Sequence, residues 1–179
     1  PSHEESNFLM AQTSLFRPLN IPDAQIFRMK GEGEPDIASR DYETVMRRTF
    51  GPSSDDWLRF DLILLGLGPD GHTASLFPGT AALEERNKWV VPGLSPKGIR
   101  QRPTLTLPVI NHADVVLFLV AGVGKAGIAR DVLEPPSSEA TPYPASLVHP
   151  IAGRLLWFLD RAAAPELTMT KQQVSSREE

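Results

Sequence analysis

Apolar and polar residues alternate with two different periods along this chain. Phe8, Leu9, Gln12, Leu15 and Phe16 cluster at helical spacing, so His3 to Arg17 predicts a helix that Pro18 stops. Gln25 to Met29, following Ile21-Pro22, predicts a short strand, and Gly31 to Pro35 a loop. Asp36 to Phe50 carries the clearest helical pattern: Ala38, Tyr42, Val45 and Thr49 share one face, and Gly51-Pro52 end it. Ser53 to Asp56 reads as a polar connection.

Beyond it the period changes. Phe60 to Leu65 is a near-continuous apolar run, the pattern of a strand buried on both faces. Gly66 to Pro69 breaks that run, and Thr73 to Phe77 predicts a short helix. Trp89 to Val91 and Thr104 to Leu107 are shorter strand candidates. Val115 to Ala121 predicts a second central strand, whose Gly122-Val-Gly-Lys125 turn leads into a helix ending near Leu133. A Pro/Ser-rich loop spans Pro135 to Pro144, a third apolar strand spans Leu155 to Leu159, and a short Ala-rich helix follows. Strands alternating with helices predict an α/β domain over residues 1–167, a largely parallel, Rossmann-like sheet flanked by helices, with a polar tail over 168–179. In such sheets ligands bind at the carboxyl ends of the strands, so the Gly66 and Gly122 turns should face one crevice.

Composition narrows the chemistry. The chain has 179 residues, 41% of them hydrophobic and 22% charged, which fits one soluble globular domain. It has no cysteine, so disulfides, thiolate catalysis and cysteine-ligated zinc are excluded, and a reducing, cytoplasmic compartment fits. A net charge of −4 leaves no overall basic footprint for nucleic acid, and the longest apolar run, Val115 to Val123, is too short to span a bilayer. His3, His112 and His149 are scattered without ligand spacing, so no metal site is indicated. Trp57, Trp89 and Trp157 read as core or rim residues.

Gly66-Leu-Gly-Pro-Asp-Gly71 formally matches the dinucleotide fingerprint G-x-G-x-x-G. Its context argues against that role. Asp70 would place a carboxylate where pyrophosphate should sit, and Pro69 removes an amide donor. Asp70 and His72 flank Gly71, a spacing that lets carboxylate and imidazole meet at the tip of a turn. The carboxylate fixes the ring tautomer and favours its cation, whereas the start of a following helix opposes the cation. That balance suits a neutral histidine acting as general base. Beside it stands a reading in which Asp70 caps the helix and His72 is a surface residue. Lys125 opens a helix among glycines, where amides and an ammonium can converge on a phosphate; a solvated lysine is the alternative. A Walker loop is excluded by Leu119 and Ala126 at its glycine and Ser/Thr positions.

The full run from Gly66 to Gly79, Gly-Leu-Gly-Pro-Asp-Gly-His-Thr-Ala-Ser-Leu-Phe-Pro-Gly, closely resembles the lactonase signature of the glucosamine-6-phosphate isomerase/6-phosphogluconolactonase family. Glu5-Ser6-Asn7 resembles the family's Ser-Asn segment, Arg102 to Leu107 its arginine-containing strand entry, and Leu119 to Ala126 its Gly-x-x-Lys-Ala turn. Pro144-Ala145-Ser146 and Trp157 to Asp160 resemble its C-terminal markers. The deaminases of the family share the Gly-x-Gly-x-Asp-Gly-His core but need a further acid shortly after the histidine; residues 73–79 contain none.

The resemblance implies hydrolysis of 6-phospho-D-glucono-1,5-lactone to 6-phosphogluconate, a step of the oxidative pentose phosphate pathway, without cofactor or metal; the oligomeric state stays open, with a monomer favoured. It implies catalytic roles for His72 and Asp70. Substrate contacts would come from Gly66, Gly68, Gly71, Lys125, Arg102 and Asn7, with backbone amides of the Gly66–Gly71 turn meeting the oxyanion. A deaminase-like isomerase and a non-catalytic sugar-phosphate-binding remnant are the alternatives. The family's N-terminal Gly-Gly-Ser/Thr phosphate loop and Asp-Glu-Arg segment do not occur in a sequence that begins at Pro1. The expectation is therefore an incomplete domain, weakly active or inactive by itself, which a lactonase assay of the isolated chain would check.

Overall fold

The computed structural model describes residues 1–4, 6–51, 57–95, 101–135 and 142–168. The polar connection at 53–56, most of the 135–144 loop and nearly all of the tail from 168 lie outside the described residues.

Helix α1 spans Asn7–Ala11 and runs on as a wider turn over Gln12–Phe16. It starts later than the predicted His3 because the Ser6 hydroxyl accepts from Leu9 N at 3.3 Å and fixes the first turn there. The predicted strand at 25–29 does not form. Residues 23–25 make a single 3-10 turn, and Phe27 is tied to α2 (Pro35–Phe50), whose Tyr42 hydroxyl donates to Phe27 O at 3.0 Å. A side chain thus satisfies backbone that a sheet ladder would otherwise hold.

The central sheet has three parallel strands in the order β1 (Ile63–Leu65), β4 (Val115–Val120), β5 (Arg154–Leu159). The α/β class with a parallel sheet is as the apolar runs predict. A separate antiparallel pair, β2 (Val90–Gly93) with β3 (Arg102–Leu105), corresponds to the two shorter strand candidates. Helix α3 (Leu107–Asn111) begins where the sequence pattern still predicts strand; Pro108 in its first turn is the sequence cue that marks it. Helix α4 (Ala126–Leu133) follows the Gly122 turn as expected. The Ala-rich helix after Leu159 is absent: the Asp160 carboxylate accepts from Ala163 N at 2.7 Å and folds the chain into a turn instead.

One face of the sheet builds the core. Ile63 and Leu65 of β1 and Val116, Phe118 and Val120 of β4 pack with Leu107 and Ile110 of α3 and Ala129 and Val132 of α4. Phe118 is fully buried and stacks on Trp157 of β5 at a centroid distance of 3.9 Å. The opposite face differs from the expectation of a strand buried on both sides. Leu64, Leu119 and Phe158 are 52%, 50% and 59% exposed, because the described helices and turns pack on the other side. A second core joins α2 to the small sheet through Met46, Leu58, Trp89, Val90 and Val109. Glu43 of α2 accepts from Trp89 N and Val90 N, which docks the start of β2 onto that helix. Among the described residues no helix is long and apolar enough to cross a membrane.

Candidate active site at the strand ends

The turn after β1 is held by its own backbone. Gly68 N donates to His72 O at 2.8 Å and Gly71 N to Gly68 O at 3.1 Å, so the chain doubles back and lays the His72 ring over Gly68. A Cβ on Gly68 would overlap Nδ1 and Cε1 of that ring. Gly71 has φ +73°, a left-handed conformation that favours glycine, and its Cα faces the Tyr143 ring.

At the tip, the Asp70 carboxylate meets His72 Nδ1 and also accepts the His72 backbone N–H at 3.3 Å. On its other side the imidazole packs on Phe77, with ring centroids 4.2 Å apart. Carboxylate and phenyl ring together fix the ring plane, so Nδ1 is taken and Nε2 is the nitrogen left for chemistry. Asp70 is partly exposed. Burial pushes its carboxyl up, but the hydrogen bonds from the His72 ring and amide and the His72 charge outweigh this and hold it below the usual 3.8. A depressed folded-state value means the pairing stabilises fully above about pH 3.8 and is lost as pH falls through the lowered value. The difference in Tm between the native protein and Asp70→Asn should accordingly be present at neutral pH and vanish in acid. A difference that persists unchanged to pH 2 would show that Asp70 acts other than through its charge.

The predicted helix at Thr73–Phe77 is replaced by a compact turn. Thr73 Oγ1 donates back to Gly66 O at 2.9 Å, Ala74 takes φ +50°, and Ser75 N donates sideways to Thr104 Oγ1 at 3.0 Å. These bonds divert the segment from an intrahelical ladder. The helix dipole expected to act on His72 therefore has no source here.

A hydrogen bond joins the two glycine turns. Lys125 reaches from the Gly122 turn to donate through Nζ to Leu67 O at 2.7 Å, within the β1 turn itself. The Gly122 turn is in turn held by the end of β5: both Asp160 carboxylate oxygens accept Gly122 N, at 3.1 and 3.0 Å. Arg102, the first residue of β3, donates through Nε to Ser75 Oγ at 2.7 Å, which brings it to the same run. Ser75 is buried against Gly93, where a Cβ would strike the Ser75 backbone oxygen.

The amides of Gly68 and Gly71 are bonded inside the turn, and the Gly122 amide is bonded to the Asp160 carboxylate. Asn7 is exposed at the start of α1, and no hydrogen bond among the described residues joins it to either glycine turn. Tyr143, Phe77, Ser75 and Asp160 are not among the site residues the sequence points to; Ser75 and Phe77 lie inside the family-like Gly66–Gly79 run, and the Pro144-Ala145-Ser146 and Trp157–Asp160 segments mark the neighbourhoods of the other two. Among the described residues no group of three or more His, Asp or Glu side chains could hold a metal ion.

The family described as glucosamine-6-phosphate isomerases/6-phosphogluconolactonase matches residues 1–157. The chain belongs to this family. Human 6-phosphogluconolactonase is 44% identical over 175 residues, which cover 97% of this chain and 66% of that protein. The chain thus spans about two thirds of the length of that relative. Among solved structures, the devB protein superposes with a TM-score of 0.80 at 37% identity, covering 90% of this chain and 66% of the other. The 6-phosphogluconolactonase from Trypanosoma cruzi gives 0.77 at 30% identity, covering 93% and 68%. A monomeric glucosamine-6-phosphate deaminase shares the fold with a TM-score of 0.66 at 23% identity. Membership of the glucosamine-6-phosphate isomerase/6-phosphogluconolactonase family accounts for the architecture.

Proposed function

We propose that the protein containing this chain hydrolyses 6-phospho-D-glucono-1,5-lactone to 6-phosphogluconate. The observation that carries this reading is the Asp70–His72 pair: its carboxylate sits on Nδ1 and leaves Nε2 as the free base. Nε2 takes a proton from water as the water oxygen bonds to the lactone carbonyl carbon. When the tetrahedral adduct collapses, the bond from that carbon to the ring oxygen breaks and His72 returns the proton to the departing oxygen. Asp70 supports the transient imidazolium. Because the Gly68 and Gly71 amides are committed to the turn, the developing negative charge must be met by other groups.

Lys125 and Arg102 are the cations brought to this run, and they suit the substrate phosphate, whose binding energy positions the reacting carbon. Lys125→Met should raise KM about 10- to 100-fold, the range for loss of a charge-assisted hydrogen bond of roughly 1.5–3 kcal/mol. Steady-state kinetics check this; an unchanged KM would remove Lys125 from phosphate binding.

The absence of Asp and Glu from residues 73–79 favours lactone hydrolysis over deamination. The decisive experiment supplies the full gene product with fresh lactone and, separately, with glucosamine 6-phosphate. Formation of 6-phosphogluconate well above the spontaneous rate supports the proposal. Ammonia release in its place, or ligand binding without turnover of either compound, overturns it.

A further inference from the structure

The Asp70–His72 pair sits on a turn that is pinned from outside as well as from within. The segment entering the 3-10 turn Pro144–Leu147 crosses directly over Gly71. The Tyr143 ring lies so close to the Gly71 Cα that a Cβ there would overlap Cδ1, Cγ and Cβ of the tyrosine. Two residues on, Ala145 N donates to Gly71 O at 3.0 Å. Ala145 is buried, and Tyr143 is half-buried against the main core. The 143–146 segment is itself braced, since Ser146 N and Ser146 Oγ both donate to Tyr143 O, at 2.9 and 2.7 Å. Gly71 is the residue between Asp70 and His72. Clamping its carbonyl and its α-carbon fixes the two peptide planes that set the angle between carboxylate and imidazole.

We propose that Tyr143 is a positioning residue for this pair: its ring, seated on Gly71, holds Asp70 and His72 in register, and its hydroxyl is not required. The inference rests on the reading of His72 as the base, but the clamp itself is a structural statement that can be read without turnover. A displaced base costs rate more than affinity, because a misplacement of about 1 Å can cost on the order of 10²-fold in the chemical step. The phosphate contacts from Lys125 and Arg102 are attached elsewhere on the run and stay in place.

The test compares Tyr143→Phe, Tyr143→Leu and Tyr143→Ala in the full gene product. Tyr143→Phe should keep kcat within about twofold of native. Tyr143→Ala should lower kcat about tenfold or more with KM changed less than about twofold, and Tyr143→Leu, which keeps bulk at the contact, should fall between them. Hydrogen exchange of the 68–72 amides should accelerate in Tyr143→Ala and remain native in Tyr143→Phe. That measurement decides the clamp even if the native protein turns over no lactone, or if Tyr143→Ala does not fold and only Tyr143→Leu can be compared. The proposal is overturned if Tyr143→Phe loses as much rate as Tyr143→Ala, if the loss falls on KM alone, or if exchange at 68–72 is native without the ring.

Discussion

His72→Ala should lower kcat by at least about 10²-fold in the full gene product, and by up to about 10⁴-fold, the usual range for a positioned general base. KM should move little, because the phosphate contacts assigned to Lys125 and Arg102 do not pass through the imidazole. Thermal stability should fall about as far as in Asp70→Asn, which breaks the same pair, and no further. The ring is partly exposed and lies at the tip of a turn whose backbone bonds, Gly68 N to His72 O and Gly71 N to Gly68 O, do not need a side chain at position 72. The measurement is a pair of saturation curves with a melting scan. A fall of less than tenfold would remove His72 from the role of base and leave the mechanism without its centre.

Gly68→Ala should be nearly as damaging, although it adds a single methyl group. Its backbone has no left-handed strain to relieve, so alanine costs little there by itself. The new Cβ instead occupies the space of His72 Nδ1 and Cε1. The imidazole can escape, being the end of a side chain, but only by leaving the Asp70 carboxylate and the Phe77 face that aim it. The expected result is a kcat loss on the order of 10²-fold with a melting temperature lowered no more than in Asp70→Asn. A near-native rate for Gly68→Ala would mean that the orientation seen here is not the one that reacts. Together the two variants separate the loss of the base from the loss of its aim.

Much of this arrangement was legible in the sequence because short-range patterns carry it. The three apolar runs read as strands because each has the length and continuity that a parallel sheet demands, and each pairs as such. Asp70 and His72 were recoverable because their partnership spans one glycine. The 73–77 turn was not legible as such. Its helix-compatible composition is overridden by bonds to Gly66 O and Thr104 Oγ1, the second of which comes from 29 residues away. For a related reason, a sequence shows how many amide donors a glycine turn has, but not which ones, here those of Gly68 and Gly71, the turn itself consumes. Tyr143 and Asp160 are not legible because their contacts with Gly71 and Gly122 cross long stretches of chain, and no local period announces such a meeting.

Those long stretches also set the order in which this region can be assembled. Lys125 meets Leu67 across 58 residues, and Asp160 meets Gly122 across 38. Contacts of such separation form late, because the chain between them must be ordered before they return any free energy. On the ribosome, the β1 turn with its Asp70–His72 pair emerges first and stands without its outer supports. The lysine reaches it only after β4 has been made, and the turn that carries the lysine is secured only once residue 160 has appeared. The anchoring of Lys125 would then be the last feature this region acquires during synthesis, and a nascent chain halted short of β5 would hold the Asp70–His72 pair without a fully secured lysine beside its turn.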